Sequence, residues 1–236
     1  MGVDVIPFSR LLIAFAPVVL LVCVLFYWSL AWKTALYALL RMVVQLLLIG
    51  YALSFLFSTE SSLLVLGVLL VMVLASGWIS LRTVEQHRWR LLRHAMLAIG
   101  ITGGATLVLV SQSVLVLDPW YEPRFMIPIA GMIFSNALNA VSLAAERMVA
   151  EQERGQSIES ARSIALTASL IPMTNALFAV GLVALPGMMT GQILSGVSPL
   201  VAVRYQILVM CMTYGASGLA AAWFLFIAWR EPNTHR

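Results

Sequence analysis

Three polar side chains recur at intervals of three in "FMIPIAGMIFSNALNAVSLAAERM": Asn136, Asn139 and Ser142. At about 100° per residue that spacing sets them on one stripe of a helix. In an apolar medium such a stripe either bonds a neighbouring helix or wets the wall of a pathway. A second group follows Pro172 in "SLIPMTNALFAVG", where Thr174 and Asn175 can bond carbonyls that the proline leaves free. A third is Arg41 with Gln45, one turn apart in "ALYALLRMVVQLLLIGYALSF". Arg41 lies eight residues past Lys33, about 12 Å along a helix. It either snorkels to headgroups or turns inward with Gln45 to bond helix-terminal carbonyls or a second subunit.

The stretch "GLVALPGMMTGQILSGVSP" is the fourth group, with Met188, Met189 and Gln192 set among Pro186, Gly187, Gly191 and Gly196. Interrupted backbone at membrane depth is tolerated only against protein or a water-filled cavity, and transporters place substrate sites at such interruptions. The segment is expected either to dip back toward the midplane or to lie as a short helix against a partner. Either way it caps or lines something, with Gly187 and Gly191 as a small-residue face. Pro128 and Pro172 are expected to interrupt the preceding helices, forming a gate with these glycines. Met126, Met132, Met173, Met210 and Met212 join Met188 and Met189 nearby. Their thioethers are soft ligands suited to Cu(I) and less well to iron, or flexible packing. Metal binding stays open on these residues alone.

The elements that must position these groups are membrane helices. Of 236 residues, 61% are hydrophobic and 10% charged, with mean hydropathy +0.97. The apolar residues run too long and too continuously for barrel strands, so the fold class is an all-α integral membrane protein. Seven spans are expected, with broken helices in the C-terminal half: 11–30, 35–57, 62–81, 95–117, 126–145, 164–185 and 205–229. No A-x-A site follows the first, which reads as a retained span. Lys33, Arg82, Arg88, Arg90, Arg93, Arg147, Arg154, Arg162, Arg230 and Arg236 fall on one side of these spans, against Arg10, Arg124 and Arg204 on the other. Ten against three places the N-terminus outside and the C-terminus in the cytoplasm. The net charge of +4 is this topological signal and not a nucleic-acid patch. Trp28, Trp32, Trp78, Trp120, Trp223 and Trp229 fall near span ends, as interfacial anchors do.

No acid or histidine falls inside a span, which argues against a proton relay and against a membrane hydrolase. Cys23 and Cys211 are isolated and read as packing. The chain carries no G-x-x-x-x-G-K-[ST], so it is read as a non-enzyme without a cofactor of its own. Energy for uphill transport has to come from another subunit.

"RMVVQLLLIGYAL", "IPIAGMIFSNALNAV" and "LIPMTNALFAVGLVALPGMMTGQILSGVSPLVAVRYQILV" together resemble the FetB-type (UPF0014) ABC permeases across nearly the whole chain. Members are described as iron exporters, with plant relatives linked to aluminium tolerance. The resemblance implies a homodimer of seven-span subunits in the bacterial inner membrane, working with a separate cytoplasmic ATPase that holds ATP. It also implies a cytoplasmic hairpin whose tip docks on that ATPase. Here the hairpin, 146–163, is short, and Glu153, Arg154 and Gly155 stand where the tip would be. Met173 stands where the family has threonine.

The chain is thus read as one permease domain, 1–236, exporting a metal ion such as iron or a related small solute. Asn136, Asn139, Thr174, Asn175, Met188, Met189 and Gln192 are its expected pathway. The alternatives are an uncoupled channel or carrier, suggested by the short hairpin, and a non-transporting membrane scaffold.

Overall fold

The computed structural model of the chain describes residues 7–58 and 61–229. Asp4, Glu60, Arg230, Glu231, His235 and Arg236, counted above for charge and topology, lie outside them. Two compact units are present, Met1–Thr59 and Glu60–Arg236.

The first unit holds α1 (Phe8–Ile13), α2 (Ala16–Tyr27) and α3 (Trp32–Leu56). Pro17 starts α2 within its first turn, where the missing N–H costs nothing. The Phe26 and Trp32 rings meet edge to face at 5.5 Å across the turn from α2 to α3. Between these helices runs a groove of about 400 Å³ whose lining, including Val22, Cys23 and Leu39, is apolar. No residue of α2 is buried. Arg41 and Gln45 are both exposed on α3, and no hydrogen bond joins them.

The second unit holds α4 (Ser62–Ser80), α5 (Arg88–Val108), α6 (Pro123–Glu153), α7 (Ile158–Ala179), α8 (Gly187–Leu194) and α9 (Pro199–Ala228). A π-helical turn, Leu109–Val114, extends α5. Within it Gln112 Nε2 donates to Ser111 Oγ (3.1 Å) and to the Trp120 carbonyl (3.2 Å). The centre is α6, packed on α4, α5, α7 and α9. Lipid tails are as apolar as leucine, so helices in a bilayer associate through close packing more than through removal of water. Helices α6 and α9 are built accordingly. Ala130, Ala137, Ala140, Ala144 and Ala145 of α6 are buried, as are Ala216, Ser217, Ala220 and Ala221 of α9. Gly103 brings α5 onto α6: a Cβ there would lie 2.7 Å from Phe134 Cε1.

Among the described residues six stretches are long and apolar enough to cross a membrane: Ser9–Tyr27, Trp32–Leu56, Ser62–Ser80, Glu85–Val114, Pro123–Glu153 and Pro199–Ala228. With α7, which is 22 residues long, they make the all-helical, multi-span architecture expected of about seven spans. The span expected over 164–185 differs from observation. The helix stops at Ala179, and the Val180, Leu182, Val183 and Ala184 amides turn back on α7 carbonyls while the Gly181 amide donates to the Ala184 carbonyl. Gly181 (φ 80°) makes this turn, so the helix ends before Pro186. Two expected interruptions are also corrected. Pro128 and Pro172 lie inside α6 and α7, which continue through both. The flanking turns hold each helix together where the proline removes one bond.

Candidate functional site

A chamber of about 630 Å³ lies between α6, α8 and α9. Each helix lines it with residues one turn apart: Arg124, Pro128 and Met132 from α6, Met188 and Gln192 from α8, Val201, Tyr205 and Val209 from α9. Met212 and Leu115 complete that side. This i, i+4 repeat is one face of each helix. Among the described residues three side chains of the lining carry polar groups, Arg124, Gln192 and Tyr205; the others are hydrocarbon and thioether.

Helix ends hold the chamber's walls in place. Pro123 and Pro199 start α6 and α9 at positions that need no N–H donor. The short α8 begins after Pro186 and ends on Gly196 (φ 91°). The Val197 amide reaches back to the Gln192 carbonyl and the Gly196 amide to the Ile193 carbonyl, both at 3.0 Å. That pair of bonds is the Schellman closure, which favours glycine at the left-handed position. Gly187 and Gly191 have no such duty: a Cβ at either meets nothing within 4 Å. The close backbone approach expected of them is therefore not made inside this chain.

The expected pathway residues divide. Met188 and Gln192 line the chamber, and Pro128 lies in its wall. Met189 is half-buried and outside the lining. Asn136 turns back on its own helix, its Nδ2 donating to the Met132 carbonyl at 2.8 Å. Asn139 is exposed, and Ser142 pairs its hydroxyl with Thr83 at 3.4 Å. Thr174 is half-buried and Asn175 exposed, and neither side chain makes a hydrogen bond among the described residues. The amide stripe and the post-proline pair thus stand apart from the chamber.

At the other end of α6 lies a charged cluster. Glu151 is 4% exposed and its Oε1 receives Arg147 Nη2 at 2.9 Å and Arg154 Nη1 at 2.7 Å. Next to it, Gln152 Oε1 accepts from Trp229 Nε1 at 2.7 Å, tying the end of α6 to the end of α9. Gly155 (φ 81°) closes α6 by the same Schellman pairing: Gln156 to Glu151 at 3.1 Å, Gly155 to Gln152 at 3.0 Å. Ser157 then caps α7 by accepting from the Ser160 amide. Glu153 is exposed and borders a polar cleft with Arg82, Glu85 and His87.

Arg124 and Tyr205 were not among the residues expected to line a site. Their signal was the four-residue spacing, Arg124–Pro128–Met132 and Val201–Tyr205–Val209, each with one polar member on an apolar stripe. Gln206, 5% exposed with its Oε1 unpartnered, was also missed, as was the buried Glu151. Among the described residues no group of three or more His, Cys, Asp or Glu stands together to hold a metal ion.

Residues 8–232 match the family described as "Uncharacterised protein family (UPF0014)". The chain is 36% identical over 189 residues to the "UPF0014 membrane protein slr1647" of Synechocystis, covering 72% of this chain and 71% of that one. It is 33% identical over 218 residues to the "Probable iron export permease protein FetB" of Escherichia coli, covering 84% and 81%. It is 31% identical over 209 residues to the "Protein ALUMINUM SENSITIVE 3" of Arabidopsis thaliana, covering 82% and 75%. No solved structure matches. With a match running through nearly all of its helices, this multi-span membrane protein belongs to the UPF0014 family, which includes a relative named as a permease.

Proposed function

We propose that the chain is the membrane-spanning permease subunit of an ABC transporter, acting as a homodimer with a separate cytoplasmic ATPase. Its cargo is a metal ion such as iron or a related small solute, moved outward across the bacterial inner membrane. The N-terminus lies outside and the C-terminus in the cytoplasm. The observation that carries this reading is the continuity of α6. One unbroken 31-residue helix lines the chamber at its start and ends at the charged tip Glu153–Arg154–Gly155. The Gln152–Trp229 bond joins that end to α9, the other long wall of the chamber. Force applied at the tip therefore reaches two of three walls without crossing a flexible joint. The name of the E. coli relative supports iron as cargo.

The test is reconstitution. The chain is co-expressed with a candidate ABC ATPase subunit, purified through a tag on the chain alone, and assayed for hydrolysis in proteoliposomes. The two should copurify, and Glu153→Ala with Arg154→Ala should lower cargo-stimulated hydrolysis while leaving the fold intact. Transport that runs at the same rate without ATP, from a chain that retains no ATPase, is the result that sinks the proposal and favours an uncoupled carrier.

A further inference from the structure

The chamber's walls constrain what can occupy it. A metal dication entering bare would exchange its hydration shell for this lining, which holds no carboxylate, imidazole or thiol. An ion left unpaired in an apolar setting loses its hydration with nothing to replace it, so such an ion stays in water or brings its own ligands. The thioethers of Met132, Met188 and Met212 are neutral and soft. The one charged group among the described lining residues, Arg124, repels any cation.

Arg124 makes no ion pair among the described residues, although Glu122 stands two positions before it. Gln192 lines the same chamber, and its Oε1 is buried with no donor among the described residues. An unsatisfied buried acceptor is destabilising, a cost removed when a hydroxyl or N–H reaches it as the amide turns. The cation and the amide share a space otherwise lined by side chains such as Phe125, Ile129 and Val209.

We propose that this chamber binds an anionic amphiphile: an apolar body against the α6 and α9 stripes, an anionic group at Arg124, and a hydrogen-bond donor for Gln192. The proposal deepens the transport reading by naming a substrate class for its site. Iron would then travel as an anionic organic complex, not as a bare cation. Two sources share this chemistry, an anionic lipid drawn from the bilayer and a soluble anionic amphiphile from the aqueous phase.

Native mass spectrometry of the purified full chain, without any ATPase, tests binding apart from transport, so a failed ATPase pairing leaves this result standing and the reverse also holds. The probes are phosphatidylglycerol against phosphatidylcholine of the same acyl chains, and hexyl phosphate as the soluble arm. Wild type should retain phosphatidylglycerol preferentially. Arg124→Gln should weaken that retention about tenfold or more, Arg124→Lys should recover part of it, and Val209→Trp, which fills the chamber, should abolish it. Displacement by hexyl phosphate marks a soluble ligand, and its failure to displace marks a lipid. Both outcomes support the anionic amphiphile. Equal retention of the two lipids, or an Arg124→Gln protein that binds as wild type does, overturns it. So does saturable Ag(I) binding that disappears in the Met132→Leu, Met188→Leu, Met212→Leu protein while lipid selectivity is absent, since the chamber would then be a thioether metal site.

Discussion

Replacing Glu151 with glutamine tests how the α6 tip is held. Its carboxylate is 4% exposed and sits in the last turn of α6, at the negative end of the helix dipole. A negative charge there is disfavoured by about 0.3–1 kcal/mol, and the bonds from Arg147 (2.9 Å) and Arg154 (2.7 Å) offset this. Breaking a fully buried pair costs about 3–5 kcal/mol. That figure is too large here, because the arginine side chains are 39% and 61% exposed and keep their water. Each bond is then nearer the exposed-pair value of about 0.2–1 kcal/mol. Glutamine loses both charge-assisted bonds, keeps a neutral acceptor and escapes the dipole penalty. The net loss is about 1 kcal/mol, or about 2–4 °C in Tm for a chain of this size. Glu153→Gln, at an exposed carboxylate two residues on, should shift Tm by under about 1–2 °C. Thermal denaturation of both variants in the same detergent, followed by tryptophan fluorescence, reads the difference. Equal shifts, or a Glu151→Gln protein more stable than wild type, would mean that Glu151 does not hold the tip.

Gly103→Ala should destabilise the chain by about 1–3 kcal/mol through overpacking, because the new methyl lies 2.7 and 2.8 Å from the buried Phe134 ring; an unchanged Tm would refute the α5–α6 approach. Gly196→Ala should cost about 1 kcal/mol or more at its positive φ, whereas Gly191→Ala, with open space around its Cβ, should gain about 0.5–1 kcal/mol as a helix substitution. If the chain forms the proposed homodimer, its loss by light scattering in Gly191→Ala, without loss of chain stability, would place α8 at the subunit contact; an unchanged dimer would exclude tight backbone packing there. A reporter fused after His235 should read cytoplasmic and one near Glu122 periplasmic, and the reverse pattern would overturn both the orientation and the placing of the tip.

Much of the fold was legible because membrane helices are written in long apolar runs, which set its all-helical, multi-span class. Boundaries set by local chemistry were legible in part. Pro123 and Pro199 start helices as prolines at a first turn do, while Pro128 and Pro172 were misread as interruptions. A proline removes one bond, and when the turns around it hold, the helix continues. The end of α7 was misplaced because Gly181, not Pro186, supplies the left-handed turn. The site was legible by halves. Met188 and Gln192 were found from an unusual local composition. Arg124 and Tyr205 were missed, since an arginine in a first turn and a tyrosine in an apolar stripe look ordinary until three helices converge. The stripe of Asn136, Asn139 and Ser142 shows the opposite error. Its spacing is regular, but Asn136 spends its amide on its own helix, and helical periodicity alone cannot say which face meets a cavity.

Glycine carries two distinct meanings in this chain. Gly155 and Gly196 stand in left-handed positions with matching amide closures, so helix termination alone accounts for both. A coupling role at the tip therefore has to rest on Glu153 and Arg154, and a gating role for α8 on something other than Gly196. Gly187 and Gly191 are the reverse case: among the described residues nothing lies within 4 Å of a Cβ at either, and Gly191, inside α8, costs about 0.5–1 kcal/mol relative to alanine. Residues whose cost is unexplained inside one subunit are the ones to examine at its boundary. The same helix carries Met188 and Gln192 into the chamber and packs on α9, while α6 and α9 are joined at their far ends by Gln152 and Trp229. Of the chamber's three walls, two are tied together, and the third is an eight-residue helix bounded by a proline and a glycine. Gln192 of α8 and Arg124 of α6 face this one space from two of its walls.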